Sequence, residues 1–312
     1  MDVGTVVAGV VAREPRAIAR AISLVEDGDD RLAELSAGLF PHTGAAATIG
    51  LTGAPGVGKS TIATALVRMA RADGRRVAVL AIDPTSPYTG GALLGDRVRM
   101  QEHATDPDVF IRSMATRGHL GGMSLAAPEA VRILDAAGFG LVIVETVGVG
   151  QAEIDVAAAT DTTVVVLAPG LGDAIQMAKA GILEVADLFV VNKADRDGAG
   201  EVVRELRQML HLGAARPWDP PVLATTAADG AGIDELWTEI DRHRAWLGSS
   251  GTLATDRETA VIHEVRALAA ERSAEAVLAQ LAADDALRAS LRDHELDPYA
   301  AAEELIRRIG RG

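Results

Sequence analysis

The sequence predicts a doubly wound α/β domain with a mostly parallel sheet, preceded by a helical N-terminal segment and followed by a helical C-terminal arm. Three observations predict it: short, almost uninterrupted apolar runs recur through the middle of the chain, longer stretches of helical period separate them, and both ends show helical periodicity alone. At 312 residues the chain is long enough for a full hydrophobic core.

From the N-terminus, Pro15 followed by Ile18, Ile22 and Val25 at helical spacing predicts one amphipathic helix, and Leu32, Leu35 and Leu39 predict a second. Residues 1–45 therefore read as a helical extension. The apolar run 3–12 is about ten residues long with no basic stretch before it, too short to span a bilayer. A soluble, unprocessed, cytoplasmic chain with no membrane partner is the expectation. From Thr48 the texture changes, and strands are expected at 48–52, 77–82, 141–144, 163–167, 188–191 and 222–225, apolar enough to be buried on both faces. Helices at 59–73, 126–137 and 200–211 lie between them, which makes residues 46–247 one doubly wound domain. The Gly/Ser run 248–251 reads as a linker. Beyond it Val261, Val265 and Leu268 line one helix, and Val277, Leu281, Leu287 and Leu291 at least one more, over 252–312. Such stripes must be covered by the core domain or by a second copy of the chain; the second copy is favoured.

Composition narrows the chemistry. Asp and Glu number 44 against 30 Lys and Arg, so the chain as a whole repels polyanions and nucleic acid is not an expected partner. The absence of cysteine removes disulfides, thiolate metal sites and cysteine nucleophiles, so any metal must use oxygen or imidazole.

The run Gly53-Ala54-Pro55-Gly56-Val57-Gly58-Lys59-Ser60 matches G-x-x-x-x-G-K-[ST], directly after an expected strand and before an expected helix. Glycines let successive backbone N–H groups curl around phosphate oxygens while the helix aims its positive end at the same charge. Lys59 would meet the β- and γ-phosphates, Ser60 would place its hydroxyl on Mg²⁺, and Thr61 follows in the cradle. A glycine-rich turn that merely spells the motif is the bland alternative. The context argues against it, and the domain reads as a P-loop NTPase.

The base is chosen roughly 130 residues further on, where a strand runs into Asn192-Lys193-Ala194-Asp195, an NKxD motif. The Asp195 carboxylate can accept from both the ring N–H and the exocyclic amine of guanine, whereas adenine presents an acceptor where that ring proton sits. A mismatched buried pair is expensive, so GTP and GDP are expected over ATP. Thr226 and Ala227, after the next strand, stand where a backbone contact to the guanine carbonyl is expected.

Three carboxylates are candidates for the metal alongside Ser60: Asp83 and Glu145 at strand ends, then Asp96 in a loop, with helix capping and solvation as their bland readings. Glu145-Thr146-Val147-Gly148 occupies the place of a DxxG switch, with Gly148 able to sense the γ-phosphate through its N–H. Lys59, Glu145 and Gly148 are thus the expected catalytic set. Where Ras-like proteins carry a water-orienting glutamine this chain has Val149, with Gln151 two residues later, so slow intrinsic turnover is expected.

On these segments the chain resembles the MeaB-like or ArgK-like GTPases, within the wider group of metallochaperone and cofactor-loading GTPases. The resemblance is carried by residues 53–60, 81–87, 90–97, 112–122, 145–151 and 192–195; the strings at 114–122 and 145–151 are its most particular part. It implies a homodimer, with 252–312 as a dimerisation arm, that binds methylmalonyl-CoA mutase or a related cobalamin-dependent mutase and couples GTP hydrolysis to delivery, retention or editing of its adenosylcobalamin. It also implies switch or relay roles for Asp96, Gln151, Asp173 and Lys179, although Lys179 reads equally well as a solvated helical lysine. Two alternatives stand beside it: a metallochaperone-type GTPase for another metalloenzyme, for which no Cys or His cluster is visible, and a kinase linked to amino-acid transport, for which no kinase loop is visible.

Overall fold

The apolar runs become strands because both faces of the sheet they form are covered. In this computed structural model, which describes residues 2–84, 103, 105–116, 123–146, 152–170, 182–213 and 216–309, seven strands form one sheet: β1 (Ala47–Thr52), β2 (Val77–Pro84), β3 (Val109–Thr116), β4 (Leu141–Thr146), β5 (Thr162–Leu167), β6 (Leu188–Asn192) and β7 (Val222–Thr225). Their spatial order is β3-β2-β4-β1-β5-β6-β7, and every neighbouring pair is parallel. The expected doubly wound fold is present, with a sheet that is parallel throughout.

Alternation along each strand divides the core. Val77 and Val79 of β2, Ile49 and Leu51 of β1 and Val164 and Val166 of β5 point to one face, where α4 (Lys59–Ala72) and α9 (Ile233–Ser250) cover them with Ile62, Leu66, Leu236 and Ile240. Ala78, Leu80 and Ile82, with Val142 and Val144, point to the other. That face is closed by α5 (Met123–Ala136) and by the N-terminal helices α1 (Val3–Val11), α2 (Pro15–Asp27) and α3 (Leu32–Leu39). Under the β5–β7 edge, α8 (Ala199–Leu212) caps Val165, Leu167, Phe189 and Val191. Two short helices complete the connections, α6 (Ala152–Ala159) after β4 and α7 (Ile182–Val185) before β6.

Three features depart from the sequence expectation. The run 3–12 is helix α1, which buries Val3, Val6 and Val10 against its neighbours. Strand β3 was not expected; it is an edge strand whose Arg112 donates to Ser23 Oγ (3.0 Å) and Glu26 (2.5 Å) of α2 instead of facing water. The Gly/Ser run at 248–251 is not a loose linker, because α9 continues to Ser250 and only Gly251, with a φ of 76°, breaks the helix before α10 (Thr252–Ala283).

The chain divides into two compact units, Met1–Glu258 and Thr259–Gly312. The second is helical: the later part of α10, then α11 (Asp285–Arg292) and α12 (Pro298–Ile309), around Leu287, Ala301 and Leu305. Asp284 caps α11 by accepting from Leu287 N at 2.9 Å and also accepts from Arg308 at 2.8 Å. Val261, Ile262, Val265 and Leu268 of α10 are exposed. Among the described residues no helix is long and apolar enough to cross a membrane.

Candidate nucleotide site

In a doubly wound sheet ligands bind at the carboxyl ends of the strands, and the predicted residues gather there. The central strand β1 ends at Thr52, and the loop 53–58 connects it to α4, whose first residue is Lys59. Two glycines in that loop are obligatory for different reasons. Gly53 has a φ of 134°, and a Cβ there would stand 2.1 Å from the Val166 carbonyl oxygen; Gly58 has a φ of 104°, and its Cβ would strike Asn192 Nδ2 at 2.2 Å. The loop can therefore approach β5 and β6 only as glycine. Gly58 caps α4 without a side chain, so the first N–H groups of a 14-residue helix face the loop.

Lys59 is buried, and its ammonium donates to the carbonyls of Gly53 (2.7 Å) and Ala54 (3.0 Å). It is thus folded back over its own loop, a position from which phosphate oxygens can replace carbonyl oxygens as acceptors. Ser60, one residue on and also buried, donates its hydroxyl to Glu145 Oε1 at 2.6 Å, joining the start of α4 to the end of β4. Residues 85 apart in sequence thus supply a hydroxyl and a carboxylate side by side, the hard oxygen donors that Mg²⁺ prefers.

The NKxD segment is tied to the phosphate loop directly. Asn192 ends β6 and is buried; its Nδ2 donates to Val57 O at 2.8 Å, and its Oδ1 accepts from Thr225 Oγ1 and Ala227 N, each at 3.1 Å. One amide therefore fixes three segments. Lys193, with a φ of 57°, donates its ammonium to Gly56 O at 2.5 Å, so its alkyl stem lies across the space beside the loop. Asp195 is exposed in the same turn, and Ala194 N donates to Thr225 O, holding that turn against the end of β7. Thr226 and Ala227 follow β7 immediately, whereas Thr61 is exposed on α4.

Thus the geometry brings together Gly53, Gly56, Val57, Gly58, Lys59, Ser60, Glu145, Asn192, Lys193 and Ala227. Asp83 belongs to the last turn of backbone in β2, and its side chain is outside the described residues, as are Asp96, Gly148, Gln151, Asp173 and Lys179 altogether. Sequence reasoning did not single out Thr225, which orients Asn192, because a threonine ending a strand carries no motif. Nor did it find the opposite end of the sheet. There Asp187, just before β6, His243 of α9 and Thr162 of β5 meet: His243 Nδ1 shares a 3.0 Å hydrogen bond with Thr162 Oγ1, and Nε2 lies 3.5 Å from Asp187 Oδ1. Burial pushes the Asp187 carboxyl up to about 7 and the His243 imidazole down to about 4.

Comparison with known proteins places this arrangement. A family model described as methylmalonyl-CoA mutase-associated GTPase MeaB matches residues 18–282. A protein of Pyrococcus horikoshii whose name carries the word GTPase is 47% identical over 298 residues, covering 94% of each chain. The GTPase ArgK of Escherichia coli is 40% identical over 262 residues, 81% of this chain and 79% of that one. Among solved structures, one described as a LAO/AO transport system kinase is similar over 99% of this chain and 97% of its own, with a TM-score of 0.72 and 28% identity.

Proposed function

The chain belongs to the family of methylmalonyl-CoA mutase-associated GTPases, MeaB, and on that premise we propose that it is a GTP-hydrolysing chaperone that binds an adenosylcobalamin-dependent acyl-CoA mutase in the cytoplasm and gates loading or protection of its cofactor. The observation that carries the GTP-dependent part is the set of exchangeable contacts around the loop: Lys59 on two carbonyls, Ser60 on Glu145 and Lys193 on Gly56. Phosphate oxygens and a cation can take over these donors and acceptors, so a bound nucleotide would replace internal contacts with charge-assisted ones.

In this reading Lys59 and the N–H groups of 56–60 compensate the β- and γ-phosphates, and Asp195 accepts from guanine while Lys193 lies along the base. Ser60 and Glu145 would hold Mg²⁺, which would neutralise phosphate charge when bound. The Ser60–Glu145 contact must open for that, so the end of β4 registers whether the site is filled, and the 147–151 segment that follows carries the signal onward. Asp83 or Asp96 adds a carboxylate, and Gly148, Gln151, Asp173 and Lys179 act as switch and relay. Without a glutamine after Gly148, turnover is slow until the partner binds.

The family match runs past the nucleotide domain into α10, and α10 exposes Val261, Ile262, Val265 and Leu268, which supports a homodimer through the 252–312 arm. Size-exclusion chromatography with purified methylmalonyl-CoA mutase tests the partner: co-elution in the presence of a non-hydrolysable GTP analogue, different from that with GDP, is expected. No complex with either nucleotide removes the mutase from the reading while leaving the GTPase intact.

A further inference from the structure

At the end of the sheet opposite the phosphate loop, a cleft of about 100 Å³ opens between the chain leading into β1, the helix α9 and the first turn of α10. Its floor is apolar: Ala47, Ile49, Leu141, Ile240, Leu247 and Leu253. Its rim is charged, with Arg75, Arg244 and Arg257 against Asp161 and Asp241. Two of the arginines are already committed. Arg257 reaches both oxygens of Asp161 at 2.8 Å, and Arg75 contacts Asp73 and Asp241, each at 3.4 Å, while its guanidinium lies 4.9 Å above the Trp237 ring. Arg244 is exposed on the rim and makes no hydrogen bond or ion pair with any described residue. Asp73 and Asp241 balance Arg75 and Asp161 balances Arg257, so Arg244 is the guanidinium left for a ligand at the edge of an apolar floor.

We propose that this cleft is a second ligand site, taking a small carboxylate with a short apolar chain, whose carboxylate meets Arg244 and whose chain lies on the Ile49–Leu141–Leu247 floor. The chemistry of the site selects the class. An apolar floor alone would accept a neutral molecule equally well, and a cationic head group would be repelled by the unpaired Arg244 guanidinium. A guanidinium offers a carboxylate two parallel donors, and a partly dry floor strengthens that pair relative to one in water. The volume admits a chain of about four carbons and excludes a nucleotide. Occupancy would be felt by the chain, because the Arg257 wall also donates to Gly44 O and Ala46 O, each at 2.7 Å, and so grips the segment leading into the central strand.

Sodium butyrate and its neutral analogue butyramide are the probes, titrated into the full chain saturated with GDP and followed by tryptophan fluorescence, since Trp237 forms one wall. Butyrate is expected to bind at millimolar concentration, about tenfold more tightly than butyramide, and the surface change Arg244→Gln is expected to erase that difference by removing the charge-assisted pair. Trp237→Phe should abolish the signal but not binding measured by ligand-observed NMR. Equal binding of butyrate and butyramide, binding unaffected by Arg244→Gln, or butyrate binding to the nucleotide-free chain but not to the GDP-saturated chain would each overturn the assignment; the last would put the carboxylate in the phosphate cradle instead.

Discussion

Lys59, beyond the C-terminal end of β1, rests on two carbonyls of its own loop, whereas Arg257, at the opposite end of the same strand, is held by a carboxylate as well as two carbonyls. The difference extends to the neighbours. Around Lys59, backbone oxygens and the Ser60–Glu145 hydroxyl–carboxylate contact are groups that a ligand can replace. Around Arg257 the groups satisfy each other: Asp161 also accepts from Thr48 N, Asp135 accepts from Gly44 N and Ala46 N, and Arg71 spans Asp106 and Asp108. Both ends are polar, yet only one is arranged to be remade. Parallel strands explain why: helix N-termini and their free N–H groups all collect at one end, so a phosphate is attracted there and ion pairs must serve at the other.

The sharpest way to break this contrast is to remove Lys59. Lys59→Ala should lower the GTP hydrolysis rate by about 10³-fold, since it deletes a buried cation from the developing phosphate charge. Phosphate release measured under single-turnover conditions checks it, and a rate within tenfold of the parent would dismantle the cradle reading. Next in size is Asp195→Asn, expected to shift the GTP-over-xanthosine-triphosphate preference by about 10²-fold or more towards xanthosine. Competition binding decides this; an unchanged preference would mean that the base is read elsewhere.

The opposite end should show the reverse signature. Arg257→Ala strips both pairings from Asp161, whose side chain is only 10% exposed, and is expected to cost about 2–3 kcal/mol in folding free energy. GDP affinity should stay within about twofold, because no residue of the cradle touches this clasp. If chemical denaturation instead showed no loss while GDP binding fell, the division of labour between the ends would be wrong.

This division also sets what could be read from sequence. The phosphate loop and the NKxD turn are contiguous strings whose backbone geometry demands those residue types, so Gly53 to Ser60 and Asn192 to Asp195 were legible with their roles. The Asp161–Arg257 clasp joins residues 96 apart and the Thr162–His243 contact residues 81 apart, and neither pairing leaves a local trace. Strand β3 escaped for a related reason: Arg112 sits mid-strand and looks solvent-facing until α2 supplies Glu26 to meet it. Helix α1 was hidden by its own uniformity, because a run without a polar face has no period to detect. The glycine and serines of 248–250 suggested a linker by composition, yet the buried Leu247 and the helix before them carry them along.

The smallest expected effect refines the contrast instead of breaking it, and it concerns the Asp187–His243 pair at the ion-paired end. His243 is 1% exposed and its imidazole is pushed down to about 4 by burial, so the neutral ring stabilises the fold above the unfolded value near 6.5, and that contribution is lost as pH falls towards 4. Asp187 has the opposite sign. Its carboxyl is raised to about 7 by burial, so the protonated form stabilises the fold below the unfolded value near 3.9, and that contribution is lost as pH rises towards 7. Between pH 4 and 6.5 the two slopes oppose each other and the parent protein should be nearly flat from this pair. Asp187→Asn keeps an acceptor for Thr163 N but removes the acid's slope, exposing that of His243 alone: stability should then climb with pH across this window. The gain is expected to be a few tenths of a kcal/mol per pH unit, below the ceiling of about 1.4 for one proton, because Asp187 keeps 30% of its side chain in water. Urea midpoints measured every half unit for both proteins give the answer; parallel curves would mean that the pair does not titrate as a unit, and that this end of the sheet is as indifferent to protons as its ion pairs suggest.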